Sequence, residues 1–186
     1  MQSQRFYAAG LALVLIGLSH PASARSMDAG SIWLSGGLGP GLELQADPSD
    51  LSKALILSGQ VEYPFIEHWS ALGELGVGIG ASHPIEARIG ARYRVTGLSI
   101  PVSPYMQGQI LLGRLLGYSS NHLTWGGRGL IGLDFFLTKD IALGGQFGFS
   151  FIGLINNANT STALSKRTGA AEWLLTASVA LDQEKE

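Results

Sequence analysis

The sequence predicts an all-β protein, an eight-stranded antiparallel up-and-down β-barrel that spans a membrane. Apolar and polar residues alternate in many short segments, which is the periodicity of β-strands with two different faces. The composition is unusually hydrophobic for a secreted protein, with a mean hydropathy of +0.23, 14% charged residues and 26 glycines in 186 residues. After the N-terminal segment, no apolar run approaches the roughly 20 residues that a spanning helix needs. A transmembrane barrel spreads its apolar character over short strands in this way.

Residues 85–95 (IEARIGARYRV) form the clearest of these segments. Because strand side chains alternate between faces, one face is wholly apolar and the other densely charged. The apolar face would meet lipid and the charged face would point into the barrel. The apolar residues are Ile85, Ala87, Ile89, Ala91, Tyr93 and Val95, and Gly90 separates the charged residues Glu86, Arg88, Arg92 and Arg94.

The N-terminus has the features of a secretory signal peptide. Arg5 precedes an apolar run over 7–18, and an Ala-Ser-Ala cleavage site ends at Ala24. The run is too short to span a membrane, so we expect cleavage near Ala24. The chain has no cysteine, which excludes disulfides and thiolate metal sites. The predicted division is a signal peptide over 1–24, a barrel over 25–181 and a short polar tail over 182–186.

The other alternating segments, together with 85–95, complete a set of eight strands. The two longest connections, 40–54 and 152–170, fall on the same side of an up-and-down barrel, whereas the connections on the opposite side are all short. An even number of antiparallel strands with short turns at one end and longer loops at the other is the plan of an outer-membrane barrel. The other predicted strands are 30–39, 55–65, 69–81, 103–114, 123–136, 141–151 and 171–181.

Nine charged residues are predicted to line the lumen as a charge network. The lumen of an eight-stranded barrel is just wide enough to be filled by side chains, and an unpaired buried charge costs several kcal/mol, so we expect pairing. A tight connection at 82–84 would place Glu74 opposite Arg92, which predicts a contact between them. One predicted layer, near the short turns, is Glu62, Glu74, Arg92, Arg94 and Asp134; the other is Glu86, Arg88, Arg128 and Glu172.

Aromatic residues fall near the strand ends on the apolar face, which predicts two interfacial girdles. Beside the short turns lie Tyr63, Phe65, Trp69, Tyr93 and Phe135, and beside the loops lie Trp125, Phe149, Phe151 and Trp173.

The turn phrases YPFIEHW (63–69) and FFLTKD (135–140), with the signal peptide and the eight strands, resemble the small outer-membrane β-barrel family (OmpA/OmpX-like). The resemblance implies a monomer in the outer membrane of a Gram-negative bacterium, in contact with outer-membrane lipid and inserted by the barrel-assembly machinery. Such barrels commonly end in an aromatic residue, whereas the last strand here ends at Leu181.

The expected role is structural or surface-interacting, through the loops 40–54 and 152–170. A narrow, porin-like channel for small solutes is one alternative. Another is a lipid-modifying hydrolase at the outer rim that uses His122 with Ser119 or Ser120, and with Glu172 to orient the imidazole. The His-x-Ser motif of the lipid A deacylases is absent, because Leu123 and Thr124 follow His122.

Other function classes find less support. The net charge of −2 and the lack of any Lys/Arg run argue against nucleic-acid binding. The histidines lack a metal-ligand spacing, so neither a metal nor a cofactor is expected. A soluble lipocalin-type barrel or a β-sandwich would instead turn the apolar face inward.

Overall fold

The chain folds into a closed barrel of eight antiparallel strands, which confirms the predicted fold class. The computed structural model describes residues 31–44, 52–80, 83–116, 122–155 and 167–181. Each strand pairs with its sequence neighbours, and β1 pairs with β8 to close the barrel. No helix in this part of the chain is long and apolar enough to cross a membrane. The strands are β1 Ile32–Leu44, β2 Ser52–Ile66, β3 Trp69–Gly80, β4 His83–Arg94, β5 Val102–Leu116, β6 His122–Phe136, β7 Ile141–Ile155 and β8 Arg167–Leu181.

The strands are staggered around the barrel. A path that follows directly paired residues from Trp33 through all eight strands returns to β1 at Glu43, ten residues further along. A stagger of this kind requires strands that tilt strongly, typically by about 35–45° from the barrel axis. The path runs through Trp33, Glu62, Leu72, Gly90, Gln109, Arg128, Ser150, Ala170 and Glu43.

The two faces of the strands have opposite character. Large apolar side chains point outward, with Leu75 67%, Phe151 75% and Leu175 76% exposed. The nine charged side chains of the predicted network point inward and are buried. This arrangement is the reverse of a soluble barrel with an apolar interior.

We call the end of the barrel that carries the β1–β2, β3–β4, β5–β6 and β7–β8 connections the loop end, and the opposite end the turn end. Several strands are longer than predicted at the loop end. β1 continues past Pro40 to Leu44, and β7 continues to Ile155. Pro40 does not end β1, because the pairing of β1 with β8 skips only Gly39 and Pro40 and then resumes. The parts of the two long predicted loops that are not strand, 45–51 and 156–166, lie outside the described residues, as do the signal peptide and the tail.

The register between β3 and β4 differs from the predicted one by four residues. The ladder begins at Val77 opposite Ile85, so that Glu74 lies opposite Arg88. The ladder stops beside Pro84, which has no N–H to donate and whose ring lies close to Gly78. A shift of four is even and leaves every side chain on its predicted face, but it changes each cross-strand partner.

Candidate functional site: the ion-paired lumen

The charges nearer the loop end form one connected cluster, which we call the loop-side cluster. Its centre is Glu74, whose carboxylate is 2.6 Å from Arg88 Nη1 and 2.9 Å from Arg128 Nη1. Arg88 Nη2 also lies 2.5 Å from Glu86 Oε2, and Arg128 pairs with Glu172. The cluster therefore contains three carboxylates and two guanidinium groups.

A glutamine supports the centre of this cluster. Gln109 Nε2 donates to Glu74 Oε2 at 2.9 Å, while Gln109 Oε1 accepts from Arg128 Nη1 at 2.9 Å. The same amide therefore satisfies a carboxylate and a guanidinium. Because all of these groups are buried, their interactions are screened far less than those of surface ion pairs.

A second cluster lies nearer the turn end and is called the turn-side cluster. Glu62 bridges two arginines, at 2.6 Å from Arg92 Nη1 and 3.1 Å from Arg94 Nη2. Arg94 also pairs with Asp134. Tyr105 lies beneath both cations, with its ring centroid 4.1 Å from Arg92 Cζ and 5.4 Å from Arg94 Cζ. Here two carboxylates face two guanidinium groups.

The predicted Glu74–Arg92 contact is wrong, and so is the assignment of Glu74 to the layer near the short turns. Glu74 belongs to the loop-side cluster, while Arg92 pairs with Glu62 and donates a hydrogen bond from Nη2 to Gln107 Oε1 at 2.7 Å. The four-residue difference in the β3–β4 register is the cause. All nine predicted lumen charges lie inside the barrel, and the eight other than Glu74 fall in the layers predicted for them.

Apolar side chains also fill the lumen, and these were missed in the sequence. Leu72, Leu111, Leu130 and Leu174 point inward and are at most 5% exposed. Each leucine lies an even number of residues from an inward polar residue of its own strand. This alternation could have identified the leucines as lumen residues. At the turn end, the rings of Trp33 and Phe136 meet edge to face with centroids 6.0 Å apart and form an apolar plug with Ala142.

Two small cavities border the lumen among the described residues. A cavity of about 60 Å³ at the loop side is bordered by Glu86, Thr124 and Glu172. A cavity of about 10 Å³ lies in the turn-side half, beside Gln60 and Thr176. These volumes can hold a few water molecules at most. Such waters would satisfy buried polar atoms that lack a protein partner, among them Gln60 Nε2, Thr124 Oγ1 and Thr176 Oγ1.

The nine predicted girdle aromatics all belong to the outward face, but they do not all lie near the strand ends. At the turn end, Trp69 and Tyr93 pack with centroids 5.2 Å apart. Phe149 and Trp173 fall near the middle of their strands, because β7 and β8 are longer than predicted. Phe147, which was not among the predicted girdle residues, contacts both of them with centroid distances of 4.8 Å.

The residues of the hydrolase alternative do not form a described site. Ser119 and Ser120 lie outside the described residues, and His122 begins β6 instead of lying in a loop. Glu172, which was expected to orient an imidazole, is held by Arg128. Within the described ranges, no group of three or more His, Asp or Glu side chains could hold a metal ion.

The fold is that of small eight-stranded outer-membrane barrels. Neisserial surface protein A has 16% sequence identity and a TM-score of 0.65, over 80% of this chain and 96% of that chain. Ail, the attachment invasion locus protein of Yersinia pestis, has 15% identity and a TM-score of 0.54, over 82% and 99%. A de novo designed transmembrane β-barrel has 11% identity and a TM-score of 0.51, over 84% and 100%. No protein-family model and no curated protein sequence matches the chain.

Proposed function

We propose that this protein is an outer-membrane barrel with a closed lumen that serves a structural or surface-interaction role. In this proposal the chain is exported, cleaved near Ala24, and inserted as a monomer into the outer membrane of a Gram-negative bacterium by the barrel-assembly machinery. The residues that contact lipid form its outer wall, and partners would be met outside the lumen.

The filled lumen carries this proposal. Ion pairs occupy both halves of the interior, four buried leucines lie among them, and the Trp33–Phe136 pair closes the turn end. A solute would have to separate several buried ion pairs, and separating even one such pair is strongly unfavourable. The barrel therefore supports binding and scaffolding at its surface better than conduction through its centre.

The first experiment is electrophoresis of outer-membrane fractions in SDS with and without boiling. We expect a band that changes mobility on heating, because a closed barrel resists detergent until its strands separate. Recovery in the soluble periplasm without a mobility change would contradict a membrane location and favour a soluble carrier.

Two further measurements distinguish the alternatives. Planar bilayers containing the heat-modifiable protein should show no discrete conductance steps, whereas reproducible steps would establish the channel alternative. Mass spectrometry of lipids from cells that produce the wild type or His122→Ala should give identical profiles. A product that is present with the wild type and lost with His122→Ala would establish the hydrolase alternative.

A further inference from the structure

The outward wall of the strands carries one charge among the side chains that the structure describes, and that charge is Arg114. All other outward positions in those ranges hold apolar side chains, glycine or proline. Arg114 is exposed and has no ion-pair or hydrogen-bond partner in the described part of the chain. A lone cation on a wall whose other described side chains are apolar needs an anion that those side chains do not provide.

The position of Arg114 places it near the edge of the apolar belt. It lies two residues before the loop end of β5 and pairs with Ile85 and Leu123, which are 47% and 46% exposed. The next outward row toward the barrel centre contains Leu112 opposite Trp125. Tryptophan is enriched at the membrane–water interface, so Arg114 lies just beyond an interfacial residue, at the level of lipid head groups.

The chemistry of the side chain selects the ligand. A guanidinium group on the lipid face is costly at the bilayer midplane and tolerated near the interface, where it can extend toward the head groups. Its planar set of donors matches two oxygens of a phosphate. The flanking Ile85, Leu112 and Leu123 would contact acyl chains while the guanidinium meets the phosphate of the same lipid.

We propose that Arg114 binds the phosphate of a lipid head group in the leaflet at the loop end of the barrel. The proposal rests on the proposed membrane location. The occupant is a lipid and not a free anion, because the described neighbours of the cation, Ile85, Leu112 and Leu123, are apolar and lie on the hydrocarbon side of the interface.

The test is native mass spectrometry of the refolded barrel in detergent micelles, titrated with diphosphorylated lipid A. Arg114→Gln should weaken lipid binding by about fivefold, the effect of one basic residue at a membrane surface. Arg114→Lys should keep part of the affinity, since the charge remains but the fork of donors is lost. Val102→Gln, at the turn end of the same strand and outside the proposed lipid site, is the matched control and should bind as the wild type does.

Two controls distinguish recognition of the lipid phosphate from binding of acyl chains alone and from binding of free phosphate. Lipid A without its phosphates should bind the wild type no better than it binds Arg114→Gln, and inorganic phosphate should not displace the lipid. Equal binding by the wild type and Arg114→Gln, or displacement by inorganic phosphate, would overturn the inference. Each variant is first checked for its heat-dependent mobility. If even the wild type lacks the mobility change, the proposed function fails, whereas a normal change with unaltered lipid binding removes this inference alone.

Discussion

Two carboxylates in the lumen make similar contacts but differ in the balance of charge around them. Glu62 and Glu74 each bridge two arginines and are 1% and 4% exposed. Without the charge of Glu62, the turn-side cluster keeps two guanidinium groups and one carboxylate. Without the charge of Glu74, the loop-side cluster keeps two of each. The net charge of a cluster, and not its number of contacts, should therefore decide the cost.

We expect Glu62→Gln to destabilise the barrel by about 3–5 kcal/mol, because it leaves a buried cation uncompensated. Glu74→Gln should cost about 1–2 kcal/mol, mainly through weaker hydrogen bonds. Urea unfolding in lipid vesicles, followed by tryptophan fluorescence, measures both. Lys139→Gln is the control, since that side chain is 57% exposed, and it should change stability by less than about 0.5 kcal/mol. Equal costs for the two glutamate variants would contradict the charge-balance argument.

Tyr105 makes one hydrogen bond and contacts two cations. Two substitutions distinguish the contribution of the hydroxyl from that of the ring. Its hydroxyl donates to Gln146 Oε1 at 3.0 Å, and its ring faces Arg92. Tyr105→Phe should cost about 1 kcal/mol, the net contribution of one hydrogen bond. Tyr105→Leu should cost more, because it also removes the cation–π contact. The same unfolding measurement checks both, and a larger loss for phenylalanine than for leucine would rule out a role for the ring.

At the scale of the strand, the closure between β1 and β8 depends on a close backbone approach at Gly39. A Cβ at Gly39 would lie 1.8 Å from the carbonyl oxygen of Trp173, whereas a Cβ at Gly36 would meet nothing within 4 Å. Both glycines belong to β1, so they form a matched pair. Of these two glycines, only Gly39 has no room for a side chain.

Gly39→Ala should therefore reduce the yield of heat-modifiable barrel on refolding into vesicles, or destabilise the product by more than about 2 kcal/mol, through the forced backbone shift. Gly36→Ala should refold as the wild type does. The fraction of the fast-migrating band in unboiled samples measures the yield. Normal refolding of Gly39→Ala would mean that the seam between β1 and β8 relaxes easily.

Strand faces were predictable from the sequence, whereas strand registers were not. Alternation is a property of each strand alone, so the inward positions of Arg88 and Glu74 follow from the sequence. Their pairing depends on the register of the β3–β4 ladder, whose first pair is Val77 opposite Ile85. Alternation within each strand does not determine that register, because a shift by an even number of residues leaves every side chain on its own face.

The same distinction applies to the whole molecule. Closure into eight strands follows from counting alternating segments, and an apolar outside with a charged inside follows from composition. The division of nine charges into clusters of five and four does not, because the stagger of ten residues brings together residues from different heights of their strands. The leucines of the lumen were also not predicted. An apolar residue on the polar face of a single strand does not by itself indicate that the lumen contains apolar side chains.

The apolar wall leads to a prediction about depth in the membrane. Ile110 lies near the middle of β5 and is 65% exposed, whereas Val102 begins the same strand at the turn end. Ile110→Arg should destabilise the barrel in lipid vesicles by about 2–4 kcal/mol and Val102→Arg by about 1 kcal/mol or less, because the cost of a guanidinium falls toward the interface. Urea unfolding in vesicles checks the difference. If this wall faced water instead of lipid, both arginines would be nearly neutral, so equal small costs would contradict a lipid-facing wall. A graded cost would also explain why Arg114, the one charge among the described outward side chains, lies near the end of its strand.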